Sequence, residues 1–182
     1  MLFLVYGRDG DAFDYEPSDL DEAHQAYMDG WLPRMIGRGP TLSPDGEDHT
    51  GSVHVIDADD LAVARAFAAD EPYASAGWYA EVSVWPMRPV VEGTMWDRPR
   101  PAGDQVSSFV LATWSARPID EVHIEPAEWL FAGTLWSDDL ASTVGFAGAI
   151  DLSPSEAVEL TRDWPGTVVE LHRWQRGGRP TA

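Results

Sequence analysis

Cysteine, lysine and asparagine are all absent from the 182 residues. Without cysteine there is no disulfide framework, no thiol nucleophile and no thiolate metal site. Without lysine there is no Schiff-base amine and no phosphate-loop lysine. All twelve positive charges are therefore arginine, set against 31 acids, for a formal net charge of −19. The acids are spread over both halves, which reads as a solvated surface rather than an acidic tail. A chain with no basic run disfavours nucleic acid and anionic membrane as partners, since both need a basic face. Long apolar runs are missing too. Nothing nears the roughly 18 apolar residues of a membrane span. The opening run, Met1-Leu2-Phe3-Leu4-Val5-Tyr6, is too short for a signal peptide and acids follow it at once. The expected location is cytoplasmic. No glycine-rich phosphate loop, dinucleotide fingerprint or Gly-x-Ser-x-Gly elbow occurs. His49, His54, His123 and His172 show no metal-ligand spacing, so neither metal nor cofactor is expected.

What the chain does have is core material: 44% hydrophobic residues and nine Trp. The first half reads as six elements. Residues 2–6 form an apolar strand. Ser18 caps a helix, with Asp21 in capping-box position. Leu20, Ala23, Tyr27, Trp31 and Met35 then recur at steps of three and four, a helical stripe. Pro33 kinks or restarts that helix, and Gly37-Arg38-Gly39-Pro40 ends it before a short strand over 40–42. Pro44-Asp45-Gly46 is a turn. Residues 51–56 alternate as a strand, Asp59 or Asp60 starts a second helix to about residue 69, and 78–85 is the last strand. The order β-α-β-β-α-β is the split βαβ, or ferredoxin-like, unit.

Residues 91–106 read as a linker rich in Pro, Gly, Arg and Asp. The second half, 107–182, echoes the first, 1–90. Ser108-Phe109-Val110-Leu111 matches the opening strand, and Phe131-Ala132-Gly133-Thr134-Leu135 matches Arg38-Gly39-Pro40-Thr41-Leu42. Ser153-Pro154-Ser155-Glu156 opens a capped helix, and Val169-Glu170-Leu171-His172-Arg173-Trp174 matches Ala80-Glu81-Val82-Ser83-Val84-Trp85. The shared order points to a tandem duplication. Its first helix is cut short by Pro118 and Pro126, and no residue there replaces His24. The fold expected is α+β: two ferredoxin-like units packed sheet to sheet as an intrachain pseudo-dimer, with further homo-oligomerisation open.

The first half resembles the YCII-related (YciI-like) domain. The residues that carry this are His24 in the first helix, Gly39-Pro40, Gly51-Ser52, Glu71-Pro72-Tyr73 and Ala76-Gly77. The resemblance covers about residues 1–90, with a degenerate echo over 108–176. It implies a dimeric α+β barrel and a His–Asp pair as the catalytic feature. Some members of that family act as dehydrochlorinases on aromatic ring-cleavage substrates. This chain departs at the acid: Glu71 stands at the Asp position, with Asp70 just before it.

Each candidate has two readings. His24 lies on the sheet side of its helix, either as a core histidine or as a general base oriented by Glu71 or Asp70. Glu71-Pro72-Tyr73 either stops a helix or carries that carboxylate. Ser52, Tyr73, Tyr6 and Arg38 are candidate substrate contacts. The alternatives for them are an ordinary strand-start serine, core aromatics and a surface ion pair. The leading function is a cofactor-independent enzyme of lyase or hydrolase type acting on a small organic molecule. A non-catalytic small-molecule-binding module is the second. A cofactor-free monooxygenase of the α+β barrel type is the third, and it needs a deep aromatic-lined pocket.

Overall fold

The computed structural model describes residues 1–13, 18–99, 106–117, 129–162 and 168–178. Its strands are β1 (Leu2–Asp9), β2 (Met35–Leu42), β3 (His49–Asp57), β4 (Tyr79–Pro89), β5 (Ser107–Arg117), β6 (Trp129–Trp136), β7 (Thr143–Ile150) and β8 (Val168–Trp174). Its helices are α1 (Asp19–Trp31), α2 (Leu61–Asp70), α3 (Pro72–Ser75) and α4 (Pro154–Thr161). No helix among the described residues is long and apolar enough to cross a membrane. The sequence readings made for residues 118–128 and 163–167, and for Arg179-Pro180, lie outside the described residues.

The strands close one antiparallel barrel in the order β1-β3-β2-β8-β5-β7-β6-β4. The ring therefore reads β4-β1-β3-β2 and then β8-β5-β7-β6, the same order in each set of four. The two sets were expected to stack face to face. They are instead hydrogen-bonded edge to edge, through Thr41↔Trp174 and Leu42↔Arg173 at one seam and Met87↔Leu135, Arg88↔Thr134 and Pro89↔Gly133 at the other. Closure satisfies edge N–H and C=O groups that two separate sheets would leave open.

The core has three parts. Leu4, Tyr6, Val53, Val55, Phe109, Leu111, Phe131, Leu135 and Trp174 fill the barrel, drawn from both halves. Outside it, Phe3, Val5 and Ile56 of the strands pack against Met28 of α1 and Phe67 of α2. Val110, Ala112, Trp129, Phe146 and Ala157 form the matching outer layer with α4. Alternation along β1 separates the first two layers: Phe3 and Val5 face the helices, Leu4 and Tyr6 the interior.

Helix α1 starts where expected, at Ser18, whose backbone N–H donates to the Asp21 carboxylate over 2.8 Å. It ends at Trp31. Pro33 sits in a single 3₁₀ turn, Leu32–Arg34, and Met35 opens β2 instead of extending the helical stripe. Proline costs the helix an N–H and clashes with the preceding turn, so the chain leaves it there. Gly37-Arg38-Gly39-Pro40, expected to end the helix, lies inside β2. A Cβ on Gly37 would collide with the Phe131 ring, and one on Gly39 with the Gln175 carbonyl. These glycines admit close neighbours rather than stopping a helix. Of the stretch read as a linker, residues 100–105 lie outside the described residues, and Met95 is fully buried in the barrel core.

Candidate active site

Five segments converge on the outer face of the first four strands. Along α1, His24 and Met28 are the buried residues, one turn apart on the sheet-facing side. On β3, Ser52 and His54 alternate onto the face beneath α1, while Val53 and Val55 enter the barrel. The pairing of β2 with β3 jumps from Thr41↔Gly51 to Leu42↔His49, so Thr50 is an extra residue. That bulge brings His49 onto the same face as Ser52. On β2, Arg38 is in register with His54 and Pro40 with Ser52.

The acid comes from the break between two helices. α2 ends at Asp70, and Glu71 leaves the helical conformation with φ −60° and ψ 131°. Glu71 then caps α3: Oε1 accepts the Tyr73 N–H at 3.1 Å and Oε2 the Ala74 N–H at 2.9 Å. The same Oε1 is bonded to His24 Nδ1. Only 2% of Glu71 is exposed. A carboxylate with three donors and almost no solvent is held in one position. With Nδ1 engaged, Nε2 is the His24 nitrogen left for a bound molecule. The Tyr73 ring stacks on the imidazole, with centroids 4.1 Å apart and planes 3° from parallel.

A second histidine–carboxylate pair stands beside the first. His49 Nδ1 lies 2.6 Å from Asp9 Oδ2, at the end of β1. His49 Nε2 lies 3.4 Å from Ser52 Oγ. The Phe13 ring stacks on His49 at 4.6 Å, 9° from parallel.

Two further groups set the electrostatics. Arg38 is 4% exposed, with Nη2 3.0 Å from Asp29 Oδ1 on α1. Its Nε and Nη1 are buried and have no hydrogen-bond partner. His54 is buried beside it, and desolvation together with the neighbouring His24, Arg38 and His49 holds its pKa well below the ordinary histidine value. It is neutral at pH 7. Burial, then the bond its hydroxyl donates to Asp21, pushes the Tyr73 phenol well above its usual pKa. Tyr73 is therefore a neutral wall and not an acid.

His24, Gln25, Arg38, Gly39, Pro40, His49, Ser52, His54, Tyr73, Gly177 and Gly178 enclose a cavity of about 160 Å³. Engineered cavities of about 150 Å³ hold a benzene ring, so this one takes a molecule of roughly that size. Two larger hollows elsewhere lack such a group. Neither holds a histidine: one sets Asp57 and Arg88 among Met1, Leu2, Met87 and Trp136, the other sets Arg65 among Ala68, Ala69, Val82 and Val84.

Of the residues singled out from the sequence, His24, Glu71, Ser52, Tyr73 and Arg38 meet here. Asp70 does not: it is exposed at the end of α2, because the chain turns out of the helix one residue later. Tyr6 does not either. It is 1% exposed inside the barrel, its hydroxyl 3.5 Å from both Thr41 Oγ1 and His172 Nε2. Its place in the alternation of β1 puts it on the opposite face from Val5. Sequence reasoning passed over His49, His54 and Asp9. The spacing of Ser52 and His54 marks them as sharing one face; nothing in the spacing marks the bulge that adds His49. Among the described residues no cluster of His, Asp or Glu is arranged to hold a metal ion.

The molecule is thus an α+β protein with a large antiparallel barrel and a small cavity built on histidine–carboxylate pairs. It belongs to the YCII-related family. The model of the YCII-related domain matches residues 1–88. Protein YciI from Escherichia coli O6:H1 is 30% identical over 100 residues, covering 50% of this chain and 99% of the relative. Among solved structures, 5-chloro-2-hydroxyhydroquinone dehydrochlorinase from Burkholderia phenoliruptrix AC1100, in complex with 2,5-dihydroxybenzoquinone, is 29% identical. That match covers 48% of this chain and 94% of the other, with a TM-score of 0.44. A Fusobacterium nucleatum protein provisionally named a monooxygenase is similar over 96% of this chain and 91% of its own. At 12% identity and a TM-score of 0.53, that likeness concerns the fold alone.

Proposed function

We propose that this protein is a cofactor-independent enzyme that removes a proton from a small, ring-sized organic molecule and so expels a leaving group. This is a lyase reaction of the dehydrochlorinase kind. The observation that carries it is the buried His24–Glu71 pair opening on the cavity. Glu71 fixes the tautomer and orientation of His24 and stabilises the imidazolium formed when Nε2 accepts the proton. The cation of Arg38 and the hydroxyl of Ser52 favour the enolate-like charge that develops on the substrate. Family membership supports elimination over other proton-transfer reactions. The barrel interior is filled by side chains such as Leu4, Phe109 and Phe131, which removes the deep pocket the monooxygenase reading needs.

The chain as a whole reads as two ferredoxin-like units, 1–90 and 107–182, joined by 91–106 and paired as an intrachain pseudo-dimer. The identical strand order of the two sets supports this, as do the reciprocal seams: second strand to last at β2–β8, last to second at β4–β6. The chemistry belongs to the first unit. A cytoplasmic location goes with this reading.

The test is a panel of chlorinated hydroxyaromatic and small carbonyl carbon acids, followed by chloride release and by solvent deuterium exchange over about pH 5–9. Turnover or exchange by the wild type, lowered about 10²–10⁴-fold in His24→Ala, is the expected result. Panel members that bind while neither exchange nor release occurs would overturn the enzyme reading in favour of the binding module.

A further inference from the structure

Ser52, His49 and Asp9 form a chain of which the reading above uses the Ser52 hydroxyl alone, as a neutral donor. Ser52 Oγ lies 3.4 Å from His49 Nε2, and His49 Nδ1 lies 2.6 Å from Asp9 Oδ2. These are the contacts of a nucleophile, its base and the acid that orients the base, in their working order. The Asp9 carboxylate is shielded, with its side chain 8% exposed. The stacked Phe13 ring holds the imidazole plane. Both Ser52 and His49 line the cavity. The bulge at Thr50 is what makes this possible, because regular alternation would send His49 to the other face from Ser52.

We infer that the protein carries a second activity: acyl transfer from a short ester through a covalent Ser52 intermediate. Ser52 Oγ forms a bond to the ester carbonyl carbon as His49 Nε2 takes the hydroxyl proton. The tetrahedral adduct collapses by breaking the carbon–alkoxide bond, and the alcohol departs with the proton returned by His49. Water then repeats the sequence on the acyl-Ser52 ester. It gives a proton to His49, releases the carboxylic acid and restores the serine. Asp9 is a positioning residue that keeps the proton on Nδ1, so that Nε2 starts as an acceptor. The oxyanion is stabilised by Arg38. It stands on the neighbouring strand two residues along from Pro40, the register partner of Ser52, and has two nitrogens without a partner. The cavity of about 160 Å³ restricts the acyl group to a few heavy atoms. Nothing here depends on His24 acting as a base.

The experiment uses methanesulfonyl fluoride, which sulfonylates an activated serine with loss of fluoride, and 4-nitrophenyl acetate. Intact and peptide mass spectra of the whole protein are expected to show one methanesulfonyl group, located on Ser52. Ser52→Ala abolishes it. His49→Ala slows labelling and ester hydrolysis about 10²–10⁴-fold, and Asp9→Asn slows both while Asp9→Glu restores part of the rate. Circular dichroism checks that each variant is folded. Asp70→Asn, outside the cavity, labels at the wild-type rate. The inference is overturned if the wild type takes up no label at Ser52, if Ser52→Ala hydrolyses the ester as fast as wild type, or if folded His49→Ala labels within about threefold of wild type. Labelling is read without any carbon-acid substrate, so its failure and a failure of the elimination assay are distinguishable.

Discussion

Replacing Glu71 by alanine removes one carboxylate that serves two structures. In the folded chain it caps α3 through the Tyr73 and Ala74 N–H groups and bonds Nδ1 of His24. Loss of a helix cap costs about 0.5–2 kcal/mol. Leaving the buried His24 nitrogen without its partner costs a further 1–3 kcal/mol or so. The two losses share one group and are not independent, so the expected destabilisation is about 2–4 kcal/mol. For a chain of this size each kcal/mol lowers Tm by about 2–4 °C. Glu71→Gln keeps an acceptor for one backbone N–H and should lose roughly half as much. Calorimetric unfolding of wild type, Glu71→Ala and Glu71→Gln at pH 7 measures this, and guanidinium titration supplies the midpoint shift at constant slope. A loss below about 0.5 kcal/mol in Glu71→Ala would mean that the carboxylate joins neither the cap nor the histidine in solution. The same variant should lose activity to the degree His24→Ala does. If it kept wild-type turnover, the pairing would be structural only.

Three further outcomes follow from other parts of the molecule. His54 and His172 both have folded-state pKa values held below the ordinary one, chiefly by burial. The unfolded chain therefore binds protons first, and stability falls as pH drops below about 6.5, by up to about 1.4 kcal/mol per pH unit for each group. His54→Phe should flatten that slope in pH-dependent chemical unfolding; an unchanged slope would show that His54 is not buried neutral. Gly39→Ala should displace the segment after Trp174, which donates Gln175 N–H to the Pro40 carbonyl and Gly177 N–H to the Arg38 carbonyl. Hydrogen exchange at those two amides should rise and the cavity wall formed by Gly177 and Gly178 should open; unchanged protection would count against the close approach. Phe67→Ala, removing a fully buried ring of α2 that packs against Tyr27 and Trp31 of α1, should cost about 3–5 kcal/mol in the same unfolding assay.

Part of the site was legible because short-range periodicity reports faces. The stripe from Leu20 to Trp31 turned His24 toward the sheet; the alternation over 51–56 also sets Ser52 and His54 on one face, a pairing the sequence reading did not draw. The proline of Glu71-Pro72 ended a helix where a carboxylate was wanted. Other parts were not legible. Period-two alternation says that Tyr6 and Val5 face opposite ways, but not which way is the barrel interior. Nor does it show an inserted residue such as Thr50, because a bulge exists only relative to a partner strand. The choice of Glu71 over Asp70 rested on one residue's backbone leaving the helical region.

By itself, then, the sequence determined the element order of the first half, the inward histidine and the exclusion of thiol and lysine chemistry. These depend on local spacing and on which side chains exist at all. Tertiary structure alone decided that the strands close edge to edge into one barrel and that Tyr6 belongs to its core. It also decided that Gly177 and Gly178, from the far end of the chain, wall the cavity of the first half. Only in three dimensions do Asp9, His49 and Ser52 meet. Each of these rests on contacts between segments distant in sequence, where pairing register and close approach set the answer, and neither is written in the order of residues along one strand.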